Sequence, residues 1–209
     1  MSIKEKKLPQ PMLPRGLGGW IMGWIMPIAH DSINKHVLPL MDLDLQDDLL
    51  DVGCGPGYFL KKHASNVRSV AGLDFSEVMI KMATRKNRAR IKAGTAKFVQ
   101  GEASKLPWND NTFSIVTSTG SFVAFPKPLD SIKEMYRVLR PGGRAVISIE
   151  WNAEDGVDHS KKIKEWGIQI LSEADIRSMM KEAGFSDISF IYKRDFGIVK
   201  MMIVRGVKC

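Results

Sequence analysis

The stretch Asp48-Leu49-Leu50-Asp51-Val52-Gly53-Cys54-Gly55-Pro56-Gly57 decides how this chain folds. A short apolar run bounded by glycines predicts a buried strand, and a helical pattern follows from about Tyr58. Glycine suits such a loop because the backbone must turn tightly and a Cβ would obstruct a ligand. A loop that leads into a helix also points free backbone N–H groups at the ligand. The stretch therefore predicts a strand, a ligand-binding loop and a helix.

The glycine spacing discriminates between ligands. A dinucleotide fingerprint G-x-G-x-x-G would need glycine at position 58, where Tyr58 stands, and the sequence has no G-x-x-x-x-G-K-[ST] phosphate loop. The pattern present is D-x-G-x-G-x-G, which begins at Asp51. A carboxylate there would repel a pyrophosphate but suits a ligand that carries an ammonium and a sulfonium.

Strand-like and helix-like patterns alternate along the rest of the chain, which is typical of a parallel sheet covered by helices. Helices are predicted from about Tyr58, over 76–93, over a segment that stops at Pro141-Gly142-Gly143, and after a capping box at Ser172. The short link 194–196 predicts an antiparallel hairpin at the end. The fold class is therefore α/β, with seven strands at 48–52, 69–73, 97–100, 113–118, 144–150, 185–192 and 197–204.

Further motifs follow in chain order, each where a strand ends. They are Leu73-Asp74-Phe75-Ser76, the segment from Gly101-Glu102-Ala103 to Trp108, Thr119, and the run from Glu134 to Gly143 that reads E-x-x-R-V-L-x-P-G-G. From about Leu49 onward the chain resembles the class I S-adenosylmethionine-dependent methyltransferases, and it is similar to the ubiquinone/menaquinone-type group that acts on small molecules. The resemblance implies a Rossmann-like, mostly parallel sheet with helices on both faces. It also implies S-adenosyl-L-methionine as cofactor and S-adenosyl-L-homocysteine as product.

The resemblance assigns roles to single residues. Asp74 would accept from both ribose hydroxyls, since a carboxylate has two acceptor oxygens. Glu102 would accept from the adenine amino group, although most relatives carry the shorter Asp there, and Thr119 would face the methionine part. The segment 134–143 would be architectural. The implied cofactor-binding residues are Asp51, Gly53, Gly55, Gly57, Asp74, Phe75, Glu102, Ala103 and Thr119.

Methyl transfer depends mainly on holding the acceptor in line with the methyl group, and a general base is needed only where the acceptor arrives protonated. No catalytic constellation stands out, so the catalytic residue is unknown. The candidate is His159, which follows the fifth strand at the edge where ligands bind in open α/β sheets. An ordinary loop residue is the alternative. Cys54 and Cys209 lack the spacing of a zinc site, so no metal is expected, and we expect a reducing, cytoplasmic location.

The segment 16–29 is rich in Trp, Met and Ile, yet it is shorter than the roughly 20 residues that span a bilayer. We divide the chain into an N-terminal apolar helical lid or extension, 1–40, and a methyltransferase domain, 41–209. The segment is expected to close the pocket together with the loop 151–171. A helix packed on the core, a dimer contact and a peripheral membrane contact are the alternatives, so monomer and homodimer both stay open.

The chain has 209 residues and a net charge of +8, from 31 Lys and Arg against 23 Asp and Glu. Seven basic residues and no acid lie between Lys81 and Lys97, which we interpret as a solvated face rather than a nucleic-acid site. No stable nucleic-acid complex is therefore expected, and the expected acceptor is a small, partly hydrophobic molecule. The alternatives are an RNA or protein methyltransferase, and a non-catalytic domain that binds the cofactor.

Overall fold

The computed structural model describes residues 14–195 and 198–209, without the side chains at 26–30 and 195–199. Its strands are β1 (Asp48–Val52), β2 (Ser69–Asp74), β3 (Ala96–Gln100), β4 (Phe113–Ser118), β5 (Leu139–Ile149), β6 (Phe185–Asp195) and β7 (Ile198–Lys208). Its helices are α1 (Gly16–Met41), α2 (Tyr58–His63), α3 (Glu77–Lys86), α4 (Arg88–Lys92), α5 (Pro128–Val138), α6 (Ser160–Trp166) and α7 (Glu173–Ala183).

The strands form one sheet in the order β3-β2-β1-β4-β5-β7-β6. The first five are parallel in that order, while β7 pairs antiparallel with both β5 and β6. The predicted α/β class, the Rossmann-like sheet and the C-terminal antiparallel hairpin are confirmed. Because β1 to β4 run parallel, the residues that follow them meet at one edge of the sheet.

Helices cover both faces of the sheet, so the central strands are buried on both sides. On one face, α5 and α7 contribute Ile132 and Met180 to a core that contains Leu50 of β1. On the other face, Ile33 and Val37 of α1 pack in a core with further residues of β1, β4 and α2. The second half of α1 is thus part of the core.

The helix α1 is longer than its apolar segment and ends at Met41, one residue past the expected boundary at 40. Its first half packs against α3 through glycine. A Cβ at Gly23 would lie 2.5 Å from the sulfur of Met82, so a larger residue there would force the Met82 side chain to shift. Within the described ranges, no helix combines the length and apolar character needed to cross a membrane.

The helix predicted over 76–93 is interrupted at Asn87, which separates α3 from α4. The Asn87 side chain is buried, and its Nδ2 donates to the carbonyl oxygens of Gly57, at 3.1 Å, and Ala83, at 3.0 Å. The break therefore fastens α3 to the end of the glycine loop.

The strand β5 begins at Leu139, earlier than the predicted residue 144. Leu139 pairs with Phe113, and the pairing resumes as Ile115 with Arg144 after a shift in register. The helix α5 ends at Val138, three residues before the predicted stop at Pro141-Gly142-Gly143, which lies inside this irregular part of the strand.

Candidate functional site

The glycine loop after β1 adopts backbone angles that suit glycine. Gly53, Gly55 and Gly57 have φ values of 79°, 51° and 67°, in the left-handed region. A Cβ at Gly53 would lie 2.3 Å from Oγ of Ser121, and one at Gly57 would lie 2.8 Å from Cβ of Ala83. A Cβ at Gly55 would meet no atom within 4 Å. Packing thus requires glycine at 53 and 57, while Gly55 leaves open space above the loop.

Asp74, at the end of β2, holds the loop in place. Its Oδ2 accepts from the N–H of Gly55 and its Oδ1 from the N–H of Ser76, each at 2.8 Å. Burial raises the pKa of Asp74 to about 6, although these two N–H donors favour the charged form. The carboxylate predicted to bind ribose therefore lies directly beside the loop.

Asp51, on β1, is the most deeply buried acid of the site. Its side chain is 1% exposed, and its Oδ1 has no hydrogen-bond partner among the described residues. Burial, and then the negative charge of Asp74, raise the pKa of Asp51 to about 8. A cationic ligand beside Asp51 would restore the charged form, because an opposite charge lowers the pKa of a carboxyl group.

A cavity of about 100 Å³ lies between the glycine loop and α1. Five of the residues predicted from the motifs line it, namely Asp51, Gly53, Gly55, Asp74 and Thr119. The other lining residues are Pro14, Asn34, Cys54, Pro56, Tyr58, Phe59, Met79, Gly120, Ser121, Val123 and Ala124.

Asn34 of α1 is a lining residue that sequence reasoning missed. It is 2% exposed, and its Oδ1, like that of Asp51, has no partner among the residues described. Buried polar atoms are normally hydrogen-bonded, so two such acceptors on one cavity point to a ligand with donors. No local motif marks Asn34, because only the docking of α1 brings it to the loop.

The residues after β2 and β3 lie on the solvent side. Phe75 is 38% exposed and Glu102 is exposed. Among the described residues, the carboxylate of Glu102 accepts one hydrogen bond, a long one of 3.5 Å from Ser104. Phe75, Glu102, Ala103 and Gly57 do not line the cavity. Phe75 follows β2, Glu102 and Ala103 follow β3, and Gly57 directly precedes α2.

The segment 102–108 is anchored by α5. The N–H of Leu106 donates to Oε2 of Glu134 at 2.7 Å, and Arg137 donates to the Leu106 carbonyl at 3.0 Å. Arg137 also contacts Glu134, which lowers the pKa of that carboxyl group. These contacts fit the architectural role that the resemblance implies for 134–143.

Glu150, just past β5, is a second group that the sequence reasoning missed. The N–H of Gly120 donates to Oγ of Ser148 at 3.0 Å, and that hydroxyl donates to Oε1 of Glu150 at 2.7 Å. Burial raises the pKa of Glu150 to about 7. The carboxyl group thus supports the loop after β4, which lines the cavity.

His159 ends the loop after β5, directly before α6, and does not line the cavity. Its Nε2 lies 2.8 Å from Oδ2 of Asp155, and both side chains are buried. Asp155 also accepts from the N–H of Val157 at 2.8 Å. The pair fits a role in folding this loop, and a catalytic role for His159 stays a prediction. No cluster of metal-ligating side chains occurs in the part of the chain that the structure describes.

Known proteins match this chain over the same region. A family model described as "Methyltransferase domain" matches residues 50–147. The uncharacterized methyltransferase YdaC of Bacillus subtilis is 29% identical over 175 residues, which cover 83% of this chain and 90% of YdaC. Cycloartenol-C-24-methyltransferase 1 of Oryza sativa is 35% identical over 179 residues, 79% of this chain and 52% of that protein. A demethylmenaquinone methyltransferase of Staphylococcus epidermidis is 35% identical over 120 residues, 56% of this chain and 48% of that protein. The match thus spans about half the length of the last two.

Solved structures share the fold. A putative methyltransferase from Bacillus halodurans superposes with a TM-score of 0.69 at 22% identity, covering 85% of this chain and 99% of that one. Phosphoethanolamine N-methyltransferase 2 of Haemonchus contortus, solved with S-adenosyl-L-methionine, gives a TM-score of 0.73 at 17% identity, covering 85% of this chain and 52% of that one.

Proposed function

Since the chain belongs to the class I S-adenosylmethionine-dependent methyltransferases and takes S-adenosylmethionine as its cofactor, we propose that it methylates a small, largely apolar acceptor. The observation that carries the cofactor site is the pair of unpartnered oxygens, Oδ1 of Asp51 and Oδ1 of Asn34, on one cavity beside the glycine loop. An ammonium group supplies the donors that both oxygens lack.

Each polar group of the site has a matching part of the cofactor. Asp51 and Asn34 hold the methionine ammonium. The open space above Gly55 admits the part of the ligand that lies against the backbone of the glycine loop. Asp74 keeps free lone pairs for the ribose hydroxyls, because each of its oxygens accepts only one N–H in the structure. Phe75 and Glu102 hold the adenine. The cofactor supplies the electrophilic methyl and the leaving group, and the chain supplies positioning.

The helix α1 acts as a lid in this proposal, because its residue Asn34 lines the cavity. Pro14, just before the helix, also lines the cavity, and its carbonyl accepts a hydrogen bond from the hydroxyl of Ser76. We accordingly keep the division into an extension, 1–40, and a domain, 41–209, and propose that the described part of the extension closes the cavity. We also propose a cytoplasmic location and a monomer or homodimer. No described residue of the loop 151–171 lines this cavity, so we propose that the loop contacts the methyl acceptor instead of the cofactor.

An apolar acceptor fits what surrounds the lid. Large apolar side chains dominate the first half of α1, and Phe75 is partly exposed next to Ser76, which donates to the carbonyl of Pro14. Two of the relatives are named for a demethylmenaquinone and for cycloartenol, which are both largely apolar. We therefore place the acceptor among quinone-like or lipid-like molecules.

A second candidate, RNA or protein methylation, is favoured by one observation. Residues 81–97 carry seven basic residues and no acid, and Lys81, Arg85, Arg88 and Lys92 among them are exposed. If this candidate holds, binding to RNA will weaken steeply as salt rises, because each neutralised phosphate releases counterions.

Calorimetry with S-adenosylhomocysteine tests the cofactor site, and transfer of a labelled methyl group to a panel of quinones, lipids, RNA and peptides tests the acceptor. We expect binding in the micromolar range or tighter and labelling of an apolar small molecule. Absence of binding would refute the assigned site. Binding without turnover on every acceptor would instead favour a non-catalytic domain.

A further inference from the structure

The first half of α1 carries an exposed apolar face that the cofactor site does not use. We call this face the apolar strip; it consists of Leu17, Ile21, Trp24 and Ile25, which are 82%, 58%, 69% and 53% exposed. At about 100° per residue these positions fall within an arc of about 100° on the helix. The opposite side of the helix packs inward, where Gly23 approaches Met82. Half of the exposed large apolar side chains in the described chain therefore belong to a single short surface.

The surroundings of the apolar strip are positively charged. Lys86 of α3 places its Nζ 5.8 Å from the ring centroid of Trp24, at the border of the strip. From Arg15 to His30 the sequence has no acidic residue, and Arg15 directly precedes α1. On α3, which packs beside α1, the acid Glu77 is paired with Lys81 at 2.6 Å.

We propose that the apolar strip docks this protein onto the surface of an anionic lipid bilayer. Apolar side chains on one helix face enter the acyl boundary, while flanking Lys and Arg attract negatively charged headgroups. Tryptophan is also favoured at the membrane interface. A second copy of the chain fits less well, because a symmetric contact would bring two positive borders together. Nucleic acid matches the charge but offers no apolar phase for the four side chains.

The position of the strip deepens the proposed function. Pro14 lines the cofactor cavity and lies three residues before Leu17 in the chain, so the strip begins close to the cavity. A bilayer held there would deliver an apolar acceptor directly to the methyl group. The route of the acceptor rests on the proposed function, whereas bilayer binding itself does not.

Co-sedimentation of the full chain with vesicles tests the proposal. The vesicles consist of phosphatidylcholine alone or of phosphatidylcholine mixed with phosphatidylglycerol. We expect binding to the mixed vesicles that weakens with salt, and at least about tenfold weaker binding by the double variant Ile21→Ser, Trp24→Ser. Leu45→Ser is the control, because Leu45 is 70% exposed but lies outside α1.

Unchanged binding of S-adenosylhomocysteine by the double variant will show that the fold and the cofactor site are intact. Failure of the wild-type chain to bind the mixed vesicles would overturn the proposal, as would equal binding by the double variant. A dimer in vesicle-free solution that the double variant dissociates would assign the strip to a second copy instead. Vesicle binding by a chain that does not bind S-adenosylhomocysteine would uphold the membrane surface and refute the proposed function.

Discussion

The backbone N–H of Gly55 donates a 2.8 Å hydrogen bond to Oδ2 of Asp74, so the loop after β1 is fastened to the end of β2. The two residues are 19 positions apart in the sequence and belong to neighbouring parallel strands. One carboxylate therefore both shapes the loop and lines the cavity.

Replacing Asp74 by Asn should weaken the binding of S-adenosylhomocysteine by about 10- to 100-fold, because a charged acceptor typically contributes about 1.5–3 kcal/mol. Isothermal calorimetry measures this loss. Asp130→Asn is the matched control, since Asp130 is an exposed carboxylate on the first turn of α5. Wild-type affinity in the Asp74 variant would remove this residue from the cofactor site.

Asp51 should make cofactor binding depend on pH. In the free protein its pKa lies at about 8, so the side chain is mostly protonated at neutral pH, whereas a cationic ligand favours the ionised form. Binding should therefore release a proton, and affinity should rise with pH up to about 8. Calorimetry in buffers of different ionisation enthalpy counts the protons released, and Asp51→Asn should abolish the release.

The carboxyl group of Asp51 should also make stability depend on pH, but in the opposite direction to cofactor binding. Its pKa is raised in the folded state, so the folded protein binds more protons than the unfolded one, and stability falls as pH rises from about 4 to about 8. Without ligand, Asp51→Asn should therefore unfold at a higher temperature than the wild-type chain at pH 8. A lower melting temperature at that pH would contradict the burial argument.

Gly55→Ala and Gly94→Ala form a matched pair. Both glycines have positive φ, 51° and 74°, and a Cβ at either meets no atom within 4 Å. Each substitution should cost about 1–2 kcal/mol of stability from the backbone alone. Only Gly55→Ala should also weaken cofactor binding, because only Gly55 lines the cavity. Equal affinities in the two variants would show that the space above Gly55 does not receive the ligand.

Asn34→Ala should reduce cofactor affinity about 5- to 10-fold with little loss of stability, because its Oδ1 has no partner to lose in the free protein. Asn66→Ala, in the exposed turn before β2, provides the comparison. If Asn34→Ala binds S-adenosylhomocysteine as tightly as the wild-type chain, then Asp51 holds the ammonium without the help of α1.

His159→Ala should lower stability by about 1–3 kcal/mol and leave most of the turnover, since the pair with Asp155 is buried in the loop after β5. Chemical denaturation and a methyl-transfer assay measure the two effects. The reverse result, a loss of turnover of a hundredfold or more with normal stability and normal cofactor binding, would make His159 a catalytic residue.

The strands of the sheet were predictable because each is marked by residues close to it in the sequence. The apolar run before Gly53 and the turn residues between strands mark the elements one by one. The break at Asn87 was not predictable, because it depends on an amide that reaches the carbonyl of Gly57, 30 residues away. The same holds for Asn34, which joins the site only through the packing of α1. Motif residues were thus predictable where a strand end places them, and residues placed by tertiary packing were not.

The position of β7 has a consequence during protein synthesis. This strand comes last along the chain, yet it lies between β5 and β6 in the sheet. Until residues 198–208 leave the ribosome, β5 has no partner on that side and exposes an open edge, which is the kind of surface that recruits foreign strands. Because the glycine loop and its acidic partners precede β7 in the chain, we expect the open edge of β5 to be most prone to aggregation before residues 198–208 are added.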